Sequence, residues 1–125
     1  MGELRLLLVD DEVEFLEPMK ARLERRGLAC ATATSGDDAL RLLGSERFDC
    51  AVVDVKMPGM DGLELLRRMR RTWPETAVVL LTGHASVELG VQGMELGAFE
   101  YLLKPVELDD LLDTVRRAAA GARRD

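Results

Sequence analysis

Asp10 and Asp11 follow one apolar run, Asp54 a second, Thr82 a third, and Lys104-Pro105 a fourth. Each stands where a buried strand would end, so a parallel sheet would bring them together along one edge. An aspartate pair beside a third acid would repel itself, and a hard divalent cation that takes oxygen ligands relieves that repulsion. Asp54, at a strand end and before a turn, could act as a nucleophile toward a phosphoryl group and form an acyl phosphate. Thr82 would offer a hydroxyl donor and Lys104 a point charge to phosphate oxygens. Bland alternatives exist for each. Asp10-Asp11 could be a helix cap, Asp54 a solvated strand-end acid, and Tyr101 an amphipathic residue on an edge strand.

The elements that must position these groups alternate regularly. Leu4 to Val9 reads as a strand buried on both faces. Glu12 to Arg26 reads as a helix with Phe15, Leu16, Met19 and Leu23 on one stripe, ended by Gly27. Pro18 implies either a late helix start or a kink. Leu28 to Thr34 is a more polar, edge-like strand, and Ser35 an N-cap for a helix through Ala39, Leu40, Leu42 and Leu43. Cys50 to Val55 is the third strand, and Met57 to Gly62 a turn by composition. Leu63 to Arg71 is a third helix whose Arg67, Arg68, Arg70 and Arg71 make a basic, solvated face. Ala77 to Leu81, the most uniformly apolar strand, is expected to be central. Ser86 to Leu96 contains Gly90 and Gly93, each costing about 1 kcal/mol against alanine, so this helix is expected to be the weakest. Phe99 to Leu103 and Glu107 to Ala120 complete the alternation. Tyr101 is expected to point to the sheet face opposite Leu102. Five strands alternating with five helices imply right-handed crossovers and a parallel sheet covered on both faces. Such sheets bind ligands beyond the carboxyl ends of their strands, which is where the four chemical stretches lie.

Composition narrows the function classes. The 125 residues, 47% hydrophobic and 32% charged, suit one globular domain. A net charge of -6 argues against direct nucleic-acid binding by this domain. No apolar stretch approaches a membrane span, and the amino-terminal residues have no signal-peptide pattern, so a cytoplasmic protein is expected. Cys30 and Cys50 fall on strands expected to flank the first strand. That separation of about 9–10 Å exceeds disulfide reach, so two free, buried thiols are expected.

Taken together, the motifs resemble the receiver domain of two-component response regulators, over essentially the whole chain. They are Leu6-Leu7-Leu8-Val9-Asp10-Asp11-Glu12, Val53-Asp54-Val55-Lys56-Met57-Pro58-Gly59-Met60-Asp61-Gly62, Leu81-Thr82-Gly83-His84, and Gly97 to Pro105. The resemblance implies a flavodoxin-like, doubly wound (βα)5 fold of the α/β class, with a five-stranded parallel sheet in the order 2-1-3-4-5. It implies one receiver domain over residues 1–125, with no effector domain in the chain. Asp54 would accept a phosphoryl group from a sensor histidine kinase or phosphotransfer protein. Asp11 and Asp54 would bind Mg²⁺ directly, Asp10 through water, and the Lys56 carbonyl would complete the protein ligands. Thr82 and Lys104 match the switch pair that closes on the phosphate, and Tyr101 the aromatic rotamer switch. Lys56 and His84 match positions that tune phosphorylation rates. Lys56 is expected to compete with Mg²⁺ for the acids and then to shield the acyl phosphate. A solvated side chain is the equal alternative for Lys56, and for His84 a surface role is favoured over one in catalysis. The helix after the acid pair would help dock the phosphodonor, although most of Phe15, Leu16 and Met19 should be core.

The resemblance also implies an output surface of the fourth helix, fifth strand and fifth helix, about residues 85 to 120. That surface would serve an effector domain, an output protein or a phosphorylation-dependent homodimer. Such a bacterial protein is not an enzyme in the ordinary sense, although it promotes its own phosphorylation and dephosphorylation. Two rivals fit less well. An aspartate-nucleophile phosphatase usually carries a second acid two residues after the nucleophile, where this chain has Lys56. A flavodoxin-like cofactor carrier needs a first loop rich in Ser, Thr and Gly, and Asp10-Asp11-Glu12 would repel its phosphate.

Overall fold

A computed structural model describes residues 3–83 and 86–123. Strands and helices alternate as β1 (Arg5–Val9), α1 (Val13–Arg25), β2 (Ala29–Ala33), α2 (Gly36–Ser45), β3 (Cys50–Val53), α3 (Gly62–Thr72), β4 (Ala77–Thr82), α4 (Val87–Glu95), β5 (Glu100–Leu103) and α5 (Leu108–Arg123). All strand pairs are parallel, in the order β2-β1-β3-β4-β5. This is the expected flavodoxin-like arrangement. The period of two along each strand sends alternate side chains to opposite faces. Leu7, Val9, Val53 and Leu80 face α2, α3 and α4, where they meet Leu43, Leu65 and Met69. Leu6, Leu8, Val79 and Leu81 face α1 and α5, where they meet Leu16, Leu23, Leu111 and Val115. Each fully buried leucine contributes about 1.5–3 kcal/mol relative to an exposed one.

Helix boundaries follow local chemistry. The Ser35 and Asp61 side chains accept the backbone N–H groups of Asp38 and Glu64 at 3.1 and 2.9 Å, capping α2 and α3. Gly27 closes α1 at φ 94°, a conformation costly for any residue with a β-carbon. Pro18 lies inside α1, so the late start is ruled out. Burial of Leu16, Met19 and Leu23 on either side of it outweighs the one lost backbone hydrogen bond.

The apolar run Ala77 to Leu81 lies in an interior strand, as expected: β4 is buried at all six positions, Thr82 included, and is flanked by β3 and β5. Two other expectations need correction. Leu6 pairs with both Cys30 and Cys50, so β1 separates the two cysteines and both are free. Cys30 is only half-buried, because β2 is a sheet edge. Within the basic face of α3, Arg67 and Arg68 pair with Glu64 at the surface, at 2.7 and 3.0 Å. Arg70 instead donates to the Pro74 and Thr76 carbonyls at 2.9 and 3.4 Å, tying the end of α3 to the start of β4. Among the described residues, no helix is long and apolar enough to cross a membrane.

Candidate functional site

Backbone ladders carry the chemical residues past the ends of the strands. The Asp54 N–H donates to the Val9 carbonyl at 2.9 Å, and the Lys104 N–H to the Thr82 carbonyl at 2.9 Å. Asp10, next after β1, donates its N–H to the Ala33 carbonyl at 3.1 Å. The sheet therefore holds Asp10, Asp54, Thr82 and Lys104 along one edge, as expected. Asp10, Asp54 and Thr82 are buried. The Thr82 hydroxyl hydrogen-bonds the Asp54 carboxylate. Lys104 Nζ lies 2.6 Å from Asp10 Oδ2, 2.8 Å from Glu12 Oε1 and 3.8 Å from Asp54 Oδ2. It also sits over the Phe15 ring, 4.4 Å from its centre. The peptide between Lys104 and Pro105 is cis.

Gly62 makes the loop after Asp54 possible. A β-carbon there would stand 2.2 Å from the Asp54 carbonyl oxygen and 2.8 Å from Val55 Cα. The Gly62 N–H donates to the Val55 carbonyl at 2.8 Å, so the start of α3 presses directly on the backbone that presents Asp54.

Burial, followed by the charge of Asp10, pushes the Asp54 carboxyl above the usual range. Lys104, the Thr82 hydroxyl and the Lys56 N–H, 3.4 Å from Asp54 Oδ1, act in the opposite direction. Burial disfavours the charged form of Lys104. Its hydrogen bonds to Asp10 and Glu12, with the charges of Asp10 and Asp54, outweigh that and raise its pKa. Carboxylate oxygens of Asp10, Glu12 and Asp54 all lie within 4.8 Å of one another. Three hard oxygen donors, balanced among the described residues by the Lys104 ammonium group, leave a net negative site suited to a divalent cation such as Mg²⁺.

The other expected residues fall as follows. Asp11 is exposed and stands outside this three-carboxylate cluster. The helix-cap alternative for the aspartate pair does not describe α1: its N-cap residue is Glu12, and Asp10 Oδ1 accepts the Glu12 N–H at 2.9 Å within the loop. The Lys56 side chain is exposed, and the ammonium group among the acids is that of Lys104. Tyr101 packs with the α2, α3, α4 face and Leu102 with the other, as expected. The Tyr101 hydroxyl donates to the Ser86 carbonyl at 3.3 Å. His84 lies outside the described residues. Sequence reasoning missed Glu12 as a partner of Lys104; the third acid in Asp10-Asp11-Glu12 was the available signal.

Comparison with known proteins agrees with this arrangement. A family model described as the response regulator receiver domain matches residues 6–116. The C4-dicarboxylate transport transcriptional regulatory protein DctD of Pseudomonas aeruginosa is 40% identical over 120 residues, covering 94% of this chain and 25% of DctD. The chain spans about a quarter of the length of the transcriptional regulators ZraR, DctD and NtrC that it matches. A CheY-like receiver domain protein from Methanospirillum hungatei has a TM-score of 0.93 at 32% identity, with 98% of each chain covered. A response regulator protein from Burkholderia pseudomallei, solved with a phosphorylated aspartic acid, calcium ion and citrate, has a TM-score of 0.87 at 32% identity. That match covers 98% of this chain and 72% of the Burkholderia one.

Proposed function

Because the chain belongs to the response regulator receiver domain family, whose general function is a phosphorylation-dependent switch, we propose that Asp54 is its phosphoryl acceptor. The observation that carries this reading is the joint approach of the Thr82 hydroxyl and Lys104 to a buried carboxylate at a strand end. The phosphorylated aspartic acid in the Burkholderia relative supports it. In the reaction, an Asp54 carboxylate oxygen attacks phosphorus, an acyl phosphate bond forms, and the bond from phosphorus to the donor breaks. The electron pair of that bond leaves with the donor. Water later hydrolyses the acyl phosphate to inorganic phosphate and restores Asp54.

Asp10, Asp11 and Asp54, with the Lys56 carbonyl, would hold Mg²⁺, with Glu12 close by. When bound, the ion neutralises charge on the transferring oxygens. Lys104 and Thr82 then contact the new phosphoryl oxygens. Two such charge-assisted contacts, about 1.5–3 kcal/mol each, are of the size needed to shift a two-state element. Tyr101 senses the movement of Thr82 and reports it to α4. The chain thus acts as a switch that assists its own phosphorylation and dephosphorylation rather than as an enzyme of ordinary turnover, with Lys56 and His84 adjusting the rates.

The phosphodonor is a histidine kinase or phosphotransfer protein, and the setting is cytoplasmic. The output surface is α4, β5 and α5. Val87, Val91 and Met94 form an exposed apolar stripe on α4, with exposed Leu103 at the end of β5. This surface engages an output domain, a partner protein or a second phosphorylated copy, without direct contact to nucleic acid.

The test is intact mass after incubation with acetyl phosphate and Mg²⁺, with Asp54→Asn alongside. One base-labile phosphoryl adduct on the parent alone is expected. A natively folded parent that takes no adduct counts against Asp54 as an acceptor from small donors and favours a docking module that works without phosphorylation.

A further inference from the structure

Lys104 is gripped by the first turn of α1 as well as by the acid it was expected to meet. Glu12 is the N-cap residue of α1, yet its side chain makes no cap hydrogen bond. It reaches across to Lys104 Nζ at 2.8 Å, while Phe15, three residues on, lies under the same ammonium group at 4.4 Å. Asp10 contributes a contact of 2.6 Å, but Asp54 remains at 3.8 Å. The three contacts hold the lysine at the α1 side of the site, close enough to Asp54 for a long ion pair but not for a hydrogen bond.

The two acidic partners differ in how they can let go. The Asp10 side chain is 3% exposed and is fixed by the Glu12 N–H at 2.9 Å, whereas the Glu12 side chain is 61% exposed. A carboxylate that is mostly in water loses little solvation by turning outward, and an exposed ion pair is worth little in itself. Glu12 is therefore the partner that can be exchanged.

We propose that Glu12 is a positioning residue, a latch that keeps Lys104 from a direct hydrogen bond with Asp54 until a phosphoryl group competes for the lysine. The latch rests on the reading of Asp54 as acceptor and adds a threshold to it. The phosphoryl oxygens must take Lys104 from Glu12, so each binding event includes the loss of one ion pair. The length of the Glu12 arm matters as well as its charge. Shortening it by one methylene, with its bond of about 1.5 Å, should stretch the 2.8 Å contact to the limit of ion-pair reach of a fixed Nζ.

The test is calorimetric titration with beryllofluoride, a phosphoryl mimic, at saturating Mg²⁺, for the parent, Glu12→Gln and Glu12→Asp. Separate titration of each protein with Mg²⁺ alone establishes saturation. Both variants are expected to bind beryllofluoride about two- to five-fold more tightly than the parent, the scale of one exposed ion pair. If Glu12→Asp matches the parent while Glu12→Gln binds more tightly, local charge alone is responsible and the latch is overturned. Parent affinity in both variants also overturns it. A parent that binds Mg²⁺ but no beryllofluoride overturns the acceptor reading, and the latch with it.

Discussion

The ring of Tyr101 lies so close to Gly90 that a β-carbon on residue 90 would stand 3.0 Å from Cδ2 and 3.1 Å from Cε2. The Tyr101 hydroxyl and the Gly90 N–H both donate to the Ser86 carbonyl, at 3.3 and 3.1 Å. The first turn of α4 and the aromatic side chain thus share one acceptor and one packing surface. Replacing Gly90 with alanine should add about 1 kcal/mol of helix propensity while crowding the ring from its place. In unphosphorylated Gly90→Ala, the ring resonances of Tyr101, the sole tyrosine, are expected to move toward their positions in the beryllofluoride-bound parent. Unchanged resonances would mean that α4 yields and the ring does not.

Asp54→Asn should stabilise the protein in the presence of a metal chelator at neutral pH. The raised pKa means that folded protein holds the Asp54 proton more tightly than unfolded chain, so ionised Asp54 lowers stability above that pKa. As pH falls through the window between the raised value and the ordinary carboxylate value, the parent recovers this loss. The gain in Asp54→Asn, on the order of 1 kcal/mol at pH 7, should therefore shrink as the solution is acidified. Urea unfolding of both proteins across pH 4 to pH 8, about the range of interest, measures it. A gain that grows on acidification contradicts the assignment.

If, as proposed, the folded acid cluster holds Mg²⁺ and the unfolded chain does not, Mg²⁺ should act on stability in the same direction as that substitution. At a concentration about 100 times the dissociation constant, the increase is about 2.7 kcal/mol. Thermal unfolding with Mg²⁺ and with chelator checks this, and Asp54→Asn should show a smaller increase than the parent.

Gly62→Ala should be severe for both stability and phosphorylation. Its β-carbon has nowhere to go except into the Asp54 carbonyl, which belongs to backbone and cannot turn aside as a side chain could. A loss of about 3 kcal/mol is expected. Because the colliding atom belongs to the proposed phosphoryl acceptor, the folded fraction should also react more slowly with acetyl phosphate.

Cys30 offers a check on the sheet edge. Burial, then the charge of Glu24, pushes its thiol up to about 11. At pH 8 its thiolate fraction is then about a hundredth of that of a thiol at 9.0, the unperturbed value, so native-state alkylation should slow about a hundred-fold. Cys50, fully buried with its pKa also raised, should react only on unfolding.

The parts of this architecture written in periodic patterns were legible from the residues alone. The apolar runs ending at Val9, Val53 and Leu81 identified buried strands, and the helices between them implied parallel pairing. That placed Asp10, Asp54, Thr82 and Lys104 on one edge. Contacts between distant side chains were not legible. The run of three acids ending at Glu12 hints at a cationic partner but does not single out Lys104, which is 92 positions away. Gly62 reads as an ordinary turn glycine until the end of β3 is seen beside it. Arg70 sits among other arginines in sequence, but the geometry of the α3 to β4 turn directs it to backbone carbonyls. Pro18 misleads for the opposite reason: a strong local rule gives way to the burial of the helix around it.

The pairing of Lys104 with Asp10 joins groups 94 positions apart. Bringing such distant parts of a chain together costs entropy that local elements do not have to meet. A nascent chain that has formed only β1 to β4 would already gather Asp10, Glu12 and Asp54, without the cation that balances them. Its acids would repel one another until the last strand arrives. Order in the acid cluster is thus tied to completion of the sheet, and a partly synthesised domain should be a poor substrate for premature phosphorylation.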